Sequence, residues 1–251
     1  MFQLKNDYEI NELRTCGKLL AGLFDELNEI IKSGMTTYDI NSYVISYAKK
    51  HNCKPSVLGY NGFTGACCTS INEEVIHGIP SKKKYINEGD LISVDICLTH
   101  NNLITDSTRT FEIGKVDPKV HKLNIDTKKS LDLGIEAAGK KGARLQDISK
   151  AIFKKTALEN GYGVVREYAG HGVGFSLHEE PSVINYVSLA EPNPRLKPGL
   201  VLAIEPMINL GSYRVKVLKD NWTVVTVDNS PACHWEHTVV ITPNGAEILT
   251  Q

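Results

Sequence analysis

Between Glu88 and Phe111 the chain reads EGDLISVDICLTHNNLITDSTRTF, and no other stretch constrains the fold as strongly. Two runs of strand-forming residues flank His100-Asn101-Asn102, which is turn material. In the first run Val94, Ile96 and Leu98 fall on one face and Asp95 and Cys97 on the other, the period of a β-strand with one face in a core. The two runs therefore predict an antiparallel hairpin. If His100 and Asn101 form a two-residue turn, Leu98 pairs with Leu103 and Asp95 with Asp106. Directly opposed cross-strand residues lie about 4.5–5.5 Å apart at Cβ. Two carboxylates so placed repel unless a cation lies between them. They are either solvated aspartates near strand ends or a pair of metal ligands.

The flanking chain alternates helical and strand patterns. Asn6 or Asp7 can cap a first helix bearing Ile10, Leu13, Leu20, Phe24, Leu27 and Ile31, with Ser33-Gly34 as its stop. A second helix starts near Thr36 or Thr37, with Asp39 as a capping-box acid and Ile40, Val44 and Tyr47 on one face. Asp117-Pro118 marks an internal boundary. Helices follow over residues 120–138 and after Gly142, and strands near 164–168, 183–187, 200–204, 213–217, 222–227 and 237–241. At 251 residues the chain can bury a sizeable core.

The two halves resemble each other. Lys32-Ser-Gly34, Asp39-Ile40 and Val44 match Lys140-Lys-Gly142, Asp147-Ile148 and Ile152 at an offset of 108 residues. Gly89-Asp-Leu-Ile-Ser-Val-Asp95 matches Gly199-Leu-Val-Leu-Ala-Ile-Glu205 at 110, and Asp106-Ser-Thr108 matches Glu236-His-Thr238 at 130, with an insertion around 213–229. An approximate two-fold would bring Asp95, Asp106, Glu205 and Glu236 to one centre. Four converging carboxylates cannot all stay ionised without compensation, so some are protonated or cations bind. Their oxygens suit hard or borderline divalent ions. His171, between glycines in Tyr168-Ala-Gly-His-Gly-Val-Gly174, adds an imidazole that tilts the choice toward Mn²⁺, Fe²⁺, Co²⁺ or Zn²⁺. Alone it would be a structural histidine; in company with four acids it is read as a ligand.

A formal net charge of -1 gives no global attraction to nucleic acid or anionic lipid. The run Lys82-Lys83-Lys84 is read as a solvated loop, with contact to ribosomal RNA as the minority alternative. The six cysteines form no C-x-x-C pair and are expected to be small buried hydrophobes in a reduced, cytoplasmic protein. No apolar run approaches membrane-spanning length and the first residues carry no apolar signal core.

The composite Tyr168-x-Gly-His171-Gly-Val-Gly-x-x-x-His178-x-x-x-x-Val183-x-Asn185-Tyr186, with Val94-Asp95, Asp106-x-Thr108, Ile204-Glu205-Pro206-Met207, Glu236-His-Thr238 and His77-Gly-Ile-Pro80, resembles the type I methionine aminopeptidases over essentially the whole chain. The resemblance implies the α/β (α+β) pita-bread fold, a single catalytic domain over 1–251 with related halves of about 1–117 and 118–251 around a curved, mainly antiparallel sheet. It implies two divalent metal ions, of Co, Mn, Fe or Zn, held by Asp95, Asp106, His171, Glu205 and Glu236, with Asp106 and Glu236 bridging. It further implies removal of the initiator methionine from peptides and nascent chains when the next residue is small. By the same resemblance a metal-bridging water would attack, Glu205 would shuttle the proton, His178 would support the oxyanion or substrate carbonyl, and His77 would contact the peptide beyond the cleaved bond. The resemblance also implies that the family's methionine pocket maps to Tyr60, Phe63, Cys68, Leu177 and Trp222, which would otherwise be read as ordinary core residues. Leu177 stands where the family often has an aromatic residue and Phe63 where Tyr is frequent; both keep the pocket apolar. A minimal, bacterial-type monomer is expected. The rival readings are a pita-bread peptidase of aminopeptidase P or prolidase type, and a binding protein that keeps the fold without the activity.

Overall fold

The structure, a computed structural model, describes residues 2–251. Helix α1 (Asp7–Ile30) is capped by Asn6, whose side chain accepts from Glu9 N–H while the Glu9 carboxylate accepts from Asn6 N–H. Its buried face, Leu13, Leu20, Phe24 and Leu27 among others, is the one the helical period marks. Gly17 is required on that face, because a Cβ there would lie 2.1 Å from the carbonyl oxygen of Leu249. Helix α2 (Thr37–Lys50) carries the Thr36/Asp39 capping box. It leads into β1 (Lys54–Pro55), a 3-10 turn at Tyr60–Gly62, β2 (Cys68–Ile71) and β3 (Glu74–Ile76). The long hairpin β4 (Leu91–His100) and β5 (Leu103–Glu112) follows.

The second half opens on α3 (Pro118–Ala138), with Asp117 as cap and Pro in the first turn, then α4 (Leu145–Phe153), extended by a π turn at Lys154–Leu158. Its strands are β6 (Gly163–Val164), β7 (Gly170–Gly172), β8 (Glu179–Val183), β9 (Val201–Ile204), β10 (Met207–Asn209), β11 (Val215–Val217), β12 (Val224–Thr226), β13 (Ala232–His234), β14 (Glu236–Thr242) and β15 (Gly245–Ile248).

The main sheet runs β1-β4-β5-β14-β9-β7-β8, with β2 also on β4 and β15 also on β14; its pairings are antiparallel. Ile92, Val94, Ile96 and Leu98 pack with α1 and α2 residues Leu20, Phe24, Ile40 and Val44. On the other half Leu202, Ile204 and Val239 pack with Leu131, Ile135, Ile148 and Ile152 of α3 and α4. The helices therefore cover one face of each half, and the carboxylates are left to the other.

The halves repeat local devices. Thr36 N–H donates to Asp39 and Arg144 N–H to Asp147. Thr37 N–H donates to the Lys84 carbonyl and Leu145 N–H to that of Pro194; Gly89 N–H donates to Ile113 and Gly199 N–H to Ile241. The 213–229 segment forms the β11–β12 hairpin, whose β12 pairs with β3 of the first half.

Two expectations are corrected. The turn of the long hairpin is Asn101-Asn102, both left-handed at φ 48° and 62°, with His100 paired to Leu103. Asn tolerates positive φ at both centres of a two-residue turn and His does not do so as readily. The register therefore shifts by two: Asp95 faces Thr108, and Asp106 faces Cys97. The strand expected at 183–187 lies at Glu179–Val183, where Val183 pairs with Gly170 and Glu179 with Gly172. Its polar sequence hides it. The residues beyond turn inward, so that the Asn185 amide donates to the Glu205 carbonyl at 2.8 Å. Among the described residues no helix is long and apolar enough to cross a membrane.

Candidate active site

Five adjacent strands of the main sheet each supply one side chain to a common centre. In sheet order they are Asp95 on β4, Asp106 on β5, Glu236 on β14, Glu205 directly after β9 and His171 on β7. Asp106, His171 and Glu236 bring ligand atoms within 4.8 Å of one another, as do Asp95, Cys97 and Asp106. His171 Nε2 lies 3.5 Å from Glu205 Oε1 and 3.9 Å from Asp106 Oδ2. Gly170 allows this approach: a Cβ there would meet the Ala203 carbonyl at 2.4 Å and Glu205 Cγ at 3.3 Å.

The surrounding hydrogen bonds aim the donors. Nδ1 of His171 lies 2.9 Å from the Gly172 carbonyl, which fixes its proton there and leaves the Nε2 lone pair facing the carboxylates. Thr108 Oγ1 donates to Glu236 Oε2 at 2.9 Å, and the Cys97 thiol donates to Asp106 Oδ1 at 2.9 Å. Thr238 Oγ1 accepts from Asp106 N–H and donates to its carbonyl, so β14 holds the backbone of Asp106 directly.

The electrostatics are those of a cation site. Asp106, Glu205 and Glu236 are buried, and a buried Asp95 oxygen has no hydrogen-bond partner among the described residues. Among those residues no lysine or arginine nitrogen comes within 4.0 Å of the four carboxylates; only the imidazoles of His171 and His234 do. Burial, and then the charge of Asp106, raise the Asp95 carboxyl to about 7; burial raises Asp106 to about 7 against the pull of the Cys97 thiol. Glu205 and Glu236 are raised well above the usual carboxyl range, first by burial and then by their neighbours' charges. Burial, with His178 nearby, lowers His171 to about 4 and keeps it neutral, the form that binds metals. Four carboxylates and one neutral imidazole, without a protein counter-charge, are a donor set that fits divalent ions.

The centre opens into a cavity of about 560 Å³. The structure places all the sequence-marked pocket residues on its wall: Tyr60, Phe63, Cys68, Leu177 and Trp222, with His77 and His178. Phe63 and Trp222 meet edge to face at 5.0 Å between ring centroids. Tyr60 Oη lies 3.0 Å from His178 Nδ1 at the mouth. His77 stands edge-on to Trp222 and Tyr168 and adopts φ 59°, a left-handed strain of about 1–3 kcal/mol for a non-glycine residue. Burial lowers it to about 4. Val57 and Cys97 complete the apolar wall, although the sequence singled out neither for the pocket. His234 was also missed, and its Nε2 lies 3.4 Å from Glu205 Oε2. Its only sequence signal is its place two residues before Glu236 on a strand-like run.

The chain matches the model of metallopeptidase family M24 over residues 11–243. It is 47% identical over 250 residues to a methionine aminopeptidase of Clostridium acetobutylicum, covering 100% of this chain and 99% of that protein. It is 45% identical over 254 residues to methionine aminopeptidase 1 of Bacillus subtilis, covering 100% of both. The crystal structure of a methionine aminopeptidase from Thermotoga maritima superposes with a TM-score of 0.96 at 40% identity, covering 100% of both chains. The prolidase from Pyrococcus furiosus gives a TM-score of 0.74 at 23% identity over 99% of this chain and 65% of that one, a likeness of fold alone. The architecture is thus the pita-bread α/β fold.

Proposed function

The chain belongs to metallopeptidase family M24, and from that premise we propose that it removes N-terminal methionine from peptides and nascent chains by hydrolysis at a dinuclear metal centre. It is an aminopeptidase of the methionine-releasing kind, and its family implies divalent metal ions. In the proposed assignment Asp95, Asp106, His171, Glu205 and Glu236 would hold two ions. The carrying observation is the convergence of the buried carboxylates of Asp106, Glu205 and Glu236, the half-buried one of Asp95 and the His171 imidazole, with no lysine or arginine beside them among the described residues. Ions bound there supply Lewis acidity, which polarises the scissile carbonyl and makes water nucleophilic near neutral pH.

The chain's own residues do the rest. The apolar wall of Phe63, Cys68, Leu177 and Trp222 takes the methionine side chain and excludes water from it. Glu205 accepts the proton of the attacking water and returns it to the leaving amine. Tyr60 O–H on Nδ1 leaves the His178 Nε2–H free to donate to the substrate carbonyl as it gains charge. His77, held strained above Trp222, contacts the peptide beyond the cleaved bond. The same reading treats 1–251 as one catalytic domain of two related halves, about 1–117 and 118–251, supported by the repeated caps and turns. It takes the protein as a cytoplasmic monomer acting where the second residue is small, with the ribosome as a further partner and Co, Mn, Fe or Zn as the candidate metals.

The test is release of methionine from Met-Ala-Ser by metal-stripped protein given Mn²⁺, Co²⁺, Fe²⁺ or Zn²⁺, with Leu-Ala-Ser and Ala-Pro-Ala alongside. Metal-dependent cleavage of the Met peptide alone is expected. Cleavage of Ala-Pro-Ala instead would move the protein to the proline-directed branch, and no cleavage with any metal would overturn the reading.

A further inference from the structure

His234 stands in the centre with no part assigned to it. It ends β13, is 2% exposed, and pairs with Met207 of β10. Its backbone is tied to both strands of the long hairpin: its N–H donates to Ser93 Oγ at 3.3 Å and its carbonyl accepts from Thr110 Oγ1 at 2.5 Å. The ring is therefore held in place from the first half while it faces Glu205 of the second. Its Nε2 is sealed from solvent, has no hydrogen-bond partner among the described residues, and lies 3.4 Å from Glu205 Oε2. Glu205 thus sits between two imidazoles, with His171 Nε2 3.5 Å from its other oxygen. The two cannot act alike. The Gly172 carbonyl holds the His171 proton on Nδ1, so its Nε2 presents a lone pair. Among the described residues no hydrogen bond reaches either carboxylate oxygen of Glu205, and a buried carboxylate needs a donor.

Building on the function proposed above, we infer that His234 is a positioning residue: its Nε2–H donates to Glu205 Oε2 and holds the carboxylate with Oε1 turned to the His171 side. A closure of a few tenths of an ångström completes the bond. The hydrogen bond orients Glu205 both as a donor to the metal centre and as the acceptor of the water proton.

The experiment compares His234→Gln, His234→Asn and His234→Ala with wild type. Gln carries its amide nitrogen at the level of Nε2, and Asn carries its own only at the level of Nδ1. Mn²⁺ affinity is measured by calorimetry on metal-stripped protein, kcat and KM on Met-Ala-Ser, and the fold by circular dichroism and Tm without metal. The Asn and Ala variants are expected to lose about 10–100-fold in Mn²⁺ affinity and in kcat/KM, with Gln within about threefold of wild type in both. Gln as impaired as Asn would overturn the inference, because the ring itself would then be needed. Asn equal to wild type would overturn it as well. If Ala fails to fold, the Gln–Asn comparison still decides. A wild type that neither binds Mn²⁺ nor releases methionine would sink the functional reading. A wild type that does both, with Gln and Asn alike, sinks only the part given to His234.

Discussion

A buried carboxylate must recover what it loses on leaving water, from a proton, a donor or a cation. Here the donors are few: Cys97 for Asp106, Thr108 for Glu236, and none for one oxygen of Asp95. The remaining demand is what divalent ions meet. The wall beside them is organised differently, since Trp222 and Phe63 supply apolar area and His178 supplies a polar tip at the mouth. Ground-state binding and transition-state stabilisation should therefore separate on mutation. Trp222→Ala is expected to raise KM roughly tenfold with kcat changed much less. His178→Ala should instead lower kcat about 10²-fold. Steady-state kinetics on Met-Ala-Ser that gave the reverse order would break these assignments.

At the scale of elements, the long hairpin fixes where two of the acids sit. Asn101-Asn102 forms its turn with both residues left-handed, and this register sets Asp106 diagonal to Asp95 rather than opposite. The preferred pair for such a turn is Asn-Gly, because glycine adopts positive φ without a Cβ penalty. Asn102→Gly is therefore expected to raise stability by up to about 1 kcal/mol, read as a higher urea midpoint, with kcat/KM unchanged. A lowered midpoint would mean that the Asn102 side chain contributes more than its backbone angle. Helix α2 offers a second check. Thr36→Ala removes the oxygen that accepts from Asp39 N–H and should cost about 1 kcal/mol. The loss is expected as a lower urea midpoint with kcat/KM unchanged, since Thr36 caps α2 on the helix-covered face of the sheet, away from the carboxylates.

For the whole molecule, the centre ties folding to pH. Asp95 and Asp106, raised to about 7, hold protons in the fold that they release when unfolded, where carboxyls titrate near 4. Their contribution to stability is full below about 4 and is lost as pH rises through about 7. Buried histidines act oppositely. His77, His171, His234 and His237, lowered to about 4, stabilise the fold above about 6.5 and lose that contribution as pH falls toward 4. The two sets oppose each other below about 6.5, and above it the carboxyls act alone. Metal-free protein should therefore lose Tm between pH 6.5 and 8, and the rise in Tm on adding Mn²⁺ should be larger at pH 8 than at pH 6.5. A metal-induced shift independent of pH would show that the carboxylates are not what the ion relieves.

What the sequence determined by itself is local or period-bound. The caps at Asn6 and Thr36 lie where their acids sit three residues on, because a capping box closes within one turn. The face of β4 that carries Asp95 and Cys97 follows from a period of two. The four converging acids were legible because the sequence matches between the halves set them at corresponding places, and His171 because it stands between glycines in a chain that carries those acids. The register of the hairpin was not, since a slip of two residues keeps every side chain on its face and leaves the alternation unchanged. The tertiary structure also decided that β14 inserts between β5 and β9, bringing Glu236 beside Thr108 across more than a hundred residues of chain. No local pattern specifies that pairing, because it is chosen by how two helix-covered halves bury their apolar faces together. His234 and Cys97 became part of the centre for the same reason. Their chemistry is silent in the sequence and arises only from the carboxylates that the closed sheet sets against them.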